Sequence, residues 1–161
     1  MRIASYVQDS IVDGKGLRFT LFTQGCPHSC PGCHNPQTHD FSGGLEISPE
    51  ELVSIILKNP LTDGVTFSGG EPFAQASDCA QIARAVREKG LNIWAYSSWT
   101  FEQLLAGTQE QRELLELCDV LVVGPFILAQ RSLSLKWRGS TNQRVLDVPK
   151  SLALGQAVEL D

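Results

Sequence analysis

Two rhythms of apolar and polar residues alternate along this chain. Residues 17–23 (LRFTLFT), 64–68 (GVTFS), 91–97 (LNIWAYS) and 120–123 (VLVV) are short runs of β-branched, aromatic and aliphatic residues. Runs of this kind predict four buried strands. Between them the apolar positions recur at helical spacing. Ser48-Pro49-Glu50-Glu51 opens the first helix: Ser48 can accept the N–H three residues on, Pro49 suits the first helical position, and Glu51 completes a capping box. This helix is expected to bury Leu52, Val53, Ile55 and Ile56 and to stop before Pro60. A second helix over about residues 75–89 gathers Cys79, Ile82, Ala83 and Val86 on one face, with Gly90 to end it. Thr100-Phe101-Glu102-Gln103 and Thr108-Gln109-Glu110-Gln111 are both capping-box patterns, so one interrupted helix or two short ones follow. Beyond the fourth strand, residues 139–142 read as a turn between two candidate strands, 133–138 and 144–148. Residues 156–160 are a candidate last strand.

Strands alternating with helices imply βαβ units and a mostly parallel sheet. The expected fold is α/β, an open partial (β/α) barrel forming a single compact domain over residues 1–161. The chain is too short for a closed eight-fold barrel, which takes about 250 residues. In such folds the active site lies at the carboxyl ends of the strands. The formal charge of −5 gives no electrostatic reason to bind nucleic acid or an anionic membrane. No apolar run approaches the roughly 20 residues of a membrane span. The first residues lack the apolar stretch of a signal peptide, so the expected location is cytoplasmic.

Three of the five cysteines fall within Cys26-Pro27-His28-Ser29-Cys30-Pro31-Gly32-Cys33, just after the first predicted strand. Soft thiolates on one short loop select zinc, Cu(I) or an iron–sulfur cluster. In the zinc reading three Cys and one His bind the ion, with His28, His34 and His39 all near enough to serve. In a second, three Cys hold three irons of a [4Fe–4S] cluster and leave the fourth open for a small molecule. In a third, a distant Cys79 or Cys118 closes a structural cluster. Both of those cysteines fit better as small buried residues, Cys79 on the apolar helix face and Cys118 directly before a strand.

The Cys-x3-Cys-x2-Cys loop, followed after the second strand by Ser68-Gly69-Gly70-Glu71-Pro72, resembles the radical S-adenosylmethionine superfamily. The resemblance implies a [4Fe–4S] cluster on Cys26, Cys30 and Cys33, with S-adenosyl-L-methionine on the open iron. Reductive cleavage of that cofactor yields a 5′-deoxyadenosyl radical, the protein orienting the cofactor and excluding quenchers. Gly69 and Gly70 would let backbone reach the methionine end, so a branched residue at 70 is expected to weaken cofactor binding while the cluster still assembles. Glu71 and Pro72 complete the motif, Glu71 setting local charge or orienting the loop. Ser97 and Ser98, ending the third strand, are candidate ribose contacts. Gly32 stands where an aromatic residue often packs near adenine, which leaves His34 or Asn35 to supply that contact.

Within the superfamily, four further segments are similar to the activating proteins of anaerobic ribonucleoside-triphosphate reductase. They are Val12-Asp13-Gly14-Lys15-Gly16-Leu17-Arg18, Gln24-Gly25-Cys26-Pro27-His28, Cys33-His34-Asn35-Pro36 and Trp137-Arg138-Gly139-Ser140-Thr141-Asn142-Gln143-Arg144. This implies a glycyl-radical activating enzyme whose partner is the large reductase subunit, with flavodoxin or ferredoxin as electron donor. Arg18, Arg138 and Arg144 are candidates to face that partner or bind carboxylate. Lys15 stands where Pro is usual. Val123 stands where Asp is common, and is expected to remove a polar group near the site. The alternatives are an activator of another glycyl-radical enzyme, a compact superfamily member acting on a small molecule, and a non-catalytic zinc or iron–sulfur interaction module.

Overall fold

In the computed structural model, which describes residues 1–28, 38–132 and 134–160, four of the five α-helices described start at a side-chain cap. The chain runs β1 (Arg2–Ser10), β2 (Arg18–Thr23), β3 (Leu45–Glu46), α1 (Pro49–Leu57), β4 (Gly64–Gly69), a 3₁₀ turn (Pro72–Gln75) and α2 (Ala76–Arg87). It continues through β5 (Asn92–Ser97), α3 (Phe101–Leu105), α4 (Gln109–Leu117), β6 (Val120–Val123), a second 3₁₀ turn (Leu128–Gln130), β7 (Arg144–Asp147) and α5 (Val148–Leu154). Ser48 Oγ accepts Glu51 N–H at 3.1 Å. Thr100 with Gln103 and Thr108 with Gln111 form complete, reciprocal capping boxes, which is why two short helices stand where one interrupted helix was the alternative.

The seven strands form one open sheet in the order β3-β1-β2-β4-β5-β6-β7. The four central strands, β2, β4, β5 and β6, are parallel neighbours. The flanking strands are antiparallel: β1 to β2, β3 to β1 and β7 to β6. Alternation along each central strand divides its side chains between two faces. Phe19, Leu21, Val65, Phe67, Ile93, Ala95, Leu121 and Val123 join Leu52, Ile56, Cys79, Ile82, Ala83, Val86, Leu114 and Leu115 in one core under the helices. The opposite face carries Arg18, Thr20, Thr66, Trp94 and Tyr96 and is covered by loops. Asp13 accepts from Thr20 and Thr66, and Trp137 packs edge-on against Trp94 with ring centroids 4.7 Å apart.

Three elements escaped the sequence pattern. β1 is exposed over most of its length and so has no apolar run to mark it. β3 is a two-residue pairing. α5 begins where 144–148 was expected to remain extended: Asp147 caps it by accepting Lys150 N–H at 3.0 Å, and Pro149 lies in its first turn. Two expected strands do not form. Residues 134–137 are a turn and bends, and Trp137 has a φ of +64°, a left-handed conformation that extended pairing does not allow. Residues 156–160 reach β7 through a single bridge, Leu146 to Glu159. Among the described residues no helix is long and apolar enough to cross a membrane.

Candidate cofactor site

The site is built where β2 and β4 end side by side. Gly25 N–H donates to Thr38 O at 2.6 Å and Cys26 N–H to His39 O at 3.2 Å, so residues 38–39 clasp one side of the cysteine-bearing segment. Its other side meets the Gly69-Gly70-Glu71 turn, where Gly70 N–H donates to Thr23 O and Glu71 N–H to Gly25 O, both at 2.9 Å. A cavity of about 320 Å³ opens above these strand ends. Cys26, His39, Gly69, Gly70, Ser97 and Ser98 line it, together with Asp13, Tyr96, Trp137 and Arg138 from the sheet's loop-covered face.

The two glycines serve the protein's own backbone as much as a ligand. Gly69 has a φ of +97°, and a Cβ on it would lie 2.6 Å from Thr23 N. A Cβ on Gly70 would lie 2.5 Å from Gly25 O and 2.9 Å from Thr38 O. The room at position 70 is therefore taken by the segment that carries Cys26, and the expectation that bulk there spares the cluster is corrected. Gly70→Ala is expected to lower bound iron as well as S-adenosylmethionine affinity, to roughly half the parent's iron or less, because backbone this close has no rotamer to yield. Iron assay of anoxically reconstituted protein measures it.

Glu71 points away from the cavity. Its side chain is 1% exposed, and its carboxylate collects four donors. Oε1 accepts from His28 Nε2 at 2.7 Å, Ser97 Oγ at 3.0 Å and Ser98 N–H at 2.9 Å; Oε2 accepts from Phe73 N–H at 3.1 Å. One buried carboxylate thus ties the cysteine loop to the end of β5 and caps the 3₁₀ turn. The His28 ring also packs edge-on against Trp99 at 4.7 Å. Ser97 Oγ accepts Trp99 N–H at 3.1 Å while donating to Glu71. Pro72 is buried at the start of the 3₁₀ turn and lies off the cavity wall.

Below the cavity, Arg18 is fully buried. It donates from Nε to Thr66 Oγ1 at 2.6 Å, from Nη1 to Lys15 O at 2.8 Å and from Nη2 to Val65 O at 3.0 Å, and lies 5.3 Å from the Trp94 ring centre. Desolvation lowers its pKa to about 10, still charged at neutral pH. It is a structural cation and cannot face a partner. Burial pushes the Tyr96 phenol up, so it enters the cavity as a neutral hydroxyl. Arg138 donates to Gln143 O at 2.7 Å and lines the cavity, whereas Arg144 pairs with Glu159 at the surface. Val123 is 3% exposed in the core under the helices, and its neighbour Val122 lines the cavity. The valine therefore removes no polar group from the cavity, contrary to expectation.

Cys30, Gly32, Cys33, His34 and Asn35 lie outside the described residues. Cys79 and Cys118 are 0% and 2% exposed in the core under the helices, with their thiol pKa values pushed up by burial. Motif reading passed over Trp94, which packs beneath the cavity-lining Trp137, and singled out Tyr96 only as a strand end. The signal for both lay in β5, where Ile93 and Ala95 alternate with two aromatic residues that carry polar tips.

The donor set fits an iron–sulfur cluster with a small cofactor beside it. One thiol stands in the wall of a cavity large enough for a ligand, two more follow four and seven residues on, and glycine backbone forms the adjoining wall. Residues 12–146 match the family model described as a 4Fe-4S single cluster domain. The anaerobic ribonucleoside-triphosphate reductase-activating protein of Haemophilus influenzae is 31% identical, over 89% of this chain and 96% of its own length. Its namesake from Vibrio cholerae is 36% identical, over 89% of this chain and 96% of its own. Among solved structures, QueE from Escherichia coli superposes with a TM-score of 0.51 at 20% identity, over 62% of this chain and 53% of that one, and shares the open partial-barrel fold. With over a third of its residues shared across nearly its whole length with one such relative, this chain belongs to the radical S-adenosylmethionine family of anaerobic ribonucleoside-triphosphate reductase-activating proteins.

Proposed function

We propose that this protein is a glycyl-radical activating enzyme of the cytoplasm, one radical S-adenosylmethionine domain over residues 1–161, acting on the large subunit of an anaerobic ribonucleoside-triphosphate reductase. The observation that carries the reading is the convergence of Cys26, Gly69-Gly70 and Ser97-Ser98, from three neighbouring strand ends, on one cavity. Cys26, with Cys30 and Cys33, would hold a [4Fe–4S] cluster, and the glycine turn and the two serines would flank S-adenosylmethionine. Once bound, the cluster and cofactor supply the one-electron cleavage that frees a 5′-deoxyadenosyl radical, which takes the α-hydrogen of a reductase glycine. Glu71 holds the cysteine loop against β5, and the apolar faces of Val122, Phe126 and Trp137 keep water from the reacting volume. Flavodoxin or ferredoxin is the proposed electron donor.

Mixed anoxically with a reductant, S-adenosylmethionine and the reductase, the protein is expected to yield a doublet radical signal on the reductase. Deuterating the glycine α-carbon should collapse the doublet and carry deuterium into 5′-deoxyadenosine. Deoxyadenosine without a radical on the reductase would leave the cofactor chemistry standing and replace the partner.

A further inference from the structure

Two buried side-chain polar atoms among the described residues have no hydrogen-bond partner: Asn92 Oδ1 and His39 Nε2. Asn92 begins β5, at the end of the strand away from the cavity. His39 is in the cavity wall itself. Its carbonyl takes Cys26 N–H at 3.2 Å, which fixes the ring beside the cysteine that opens the loop. The contrast with His28 is informative, since that ring spends Nε2 on Glu71 and its edge on Trp99. In either tautomer His39 Nε2 can form a hydrogen bond that the protein does not supply, and a buried polar atom left so is a standing cost.

We propose that His39 Nε2 hydrogen-bonds S-adenosylmethionine bound in this cavity and so helps set its affinity. The inference rests on the cofactor reading above. S-adenosylmethionine brings carboxylate, ammonium, ribose and adenine polar atoms, and so can meet the nitrogen as donor or as acceptor. A cluster sulfide could only accept. Of the cavity's other polar side chains, Ser97 is engaged on Glu71, Asp13 on Ser10 and Thr20, and Arg138 on Gln143. His39 thus holds its unmet nitrogen ready for an incoming group.

The test uses full-length protein, reconstituted anoxically with iron and sulfide, carrying His39→Phe or His39→Gln. Each is titrated with S-adenosylmethionine while the reduced cluster's paramagnetic spectrum is followed, and iron is measured in the same samples. His39→Phe keeps the ring's shape without its nitrogens; it should hold the parent's iron and bind the cofactor about tenfold more weakly. His39→Gln restores an amide near the place of Nε2 and should stay within about threefold of the parent. A His39→Phe protein that titrates like the parent overturns the proposal. So does one that loses iron as completely as Cys26→Ala, because the ring would then serve the cluster. A parent whose spectrum ignores S-adenosylmethionine would overturn the cofactor reading itself, and this contact with it.

Discussion

Cys26→Ala is expected to strip the reconstituted protein of its iron and of its reduced-cluster signal, while Cys79→Ala and Cys118→Ala keep both. The asymmetry follows from the two faces of the sheet. Cys26 is in the cavity wall at the end of β2. Cys79 and Cys118 are sealed on the other face among Ile82, Val86 and Leu115. Burial pushes both thiols up, away from the thiolate that binds metal. Cys118 Sγ already donates to Leu114 O at 3.3 Å. Their alanine variants should lose packing and, at Cys118, that weak thiol hydrogen bond, about 1 kcal/mol each, read as a small shift in denaturation midpoint. Iron loss in the Cys118→Ala protein equal to that in Cys26→Ala would mean a four-cysteine cluster with no open iron.

Glu71→Ala should be the most damaging single change on the cavity's far side. It strands four donors at once, His28 Nε2 and Ser98 N–H in partly buried positions and Ser97 Oγ and Phe73 N–H in fully buried ones. The expected cost is about 3–5 kcal/mol in stability, with the cysteine loop released from β5 and iron retention reduced accordingly. Glu71→Gln discriminates packing from hydrogen bonding. Its one amide oxygen can keep the three donors at Oε1, but its NH₂ then faces Phe73 N–H, so about 1–2 kcal/mol is lost. Denaturant titration of both variants measures the difference. Equal costs would mean that the carboxylate's hydrogen bonds are immaterial to the fold.

The parts of this architecture legible in sequence were those with a local signature. The four central strands were legible as runs buried on both faces, and both Thr-x-x-Gln boxes because capping chemistry is contained within four residues. β1 was not, because an exposed antiparallel strand depends on β2 for its partner rather than on its own residues. At the site, the motifs marked Cys26, Gly69 and Gly70 but not what each touches. Glu71 belongs to the same motif, yet its role comes from His28 and Ser97, which are 43 and 26 residues away in sequence. Gly70 needs to be glycine because of Gly25 and Thr38. Tertiary pairing of this kind has no period or propensity to betray it.

Sheet order carries a consequence for timing. The parallel strands join in the order they are made, β2, β4, β5 and then β6, each laid against its predecessor. Most of the helix-side core can therefore form while the chain is still emerging, as domains commonly do from their N-terminal side. The cavity cannot. Phe126, Trp137, Arg138 and Gln143 all follow β6, so the cysteine-bearing wall stands open to solvent until residues 126–143 fold over it. Maturation is thereby split in two: a scaffold assembled early, and a cofactor chamber whose walls are complete only after the residues beyond β6 have been made.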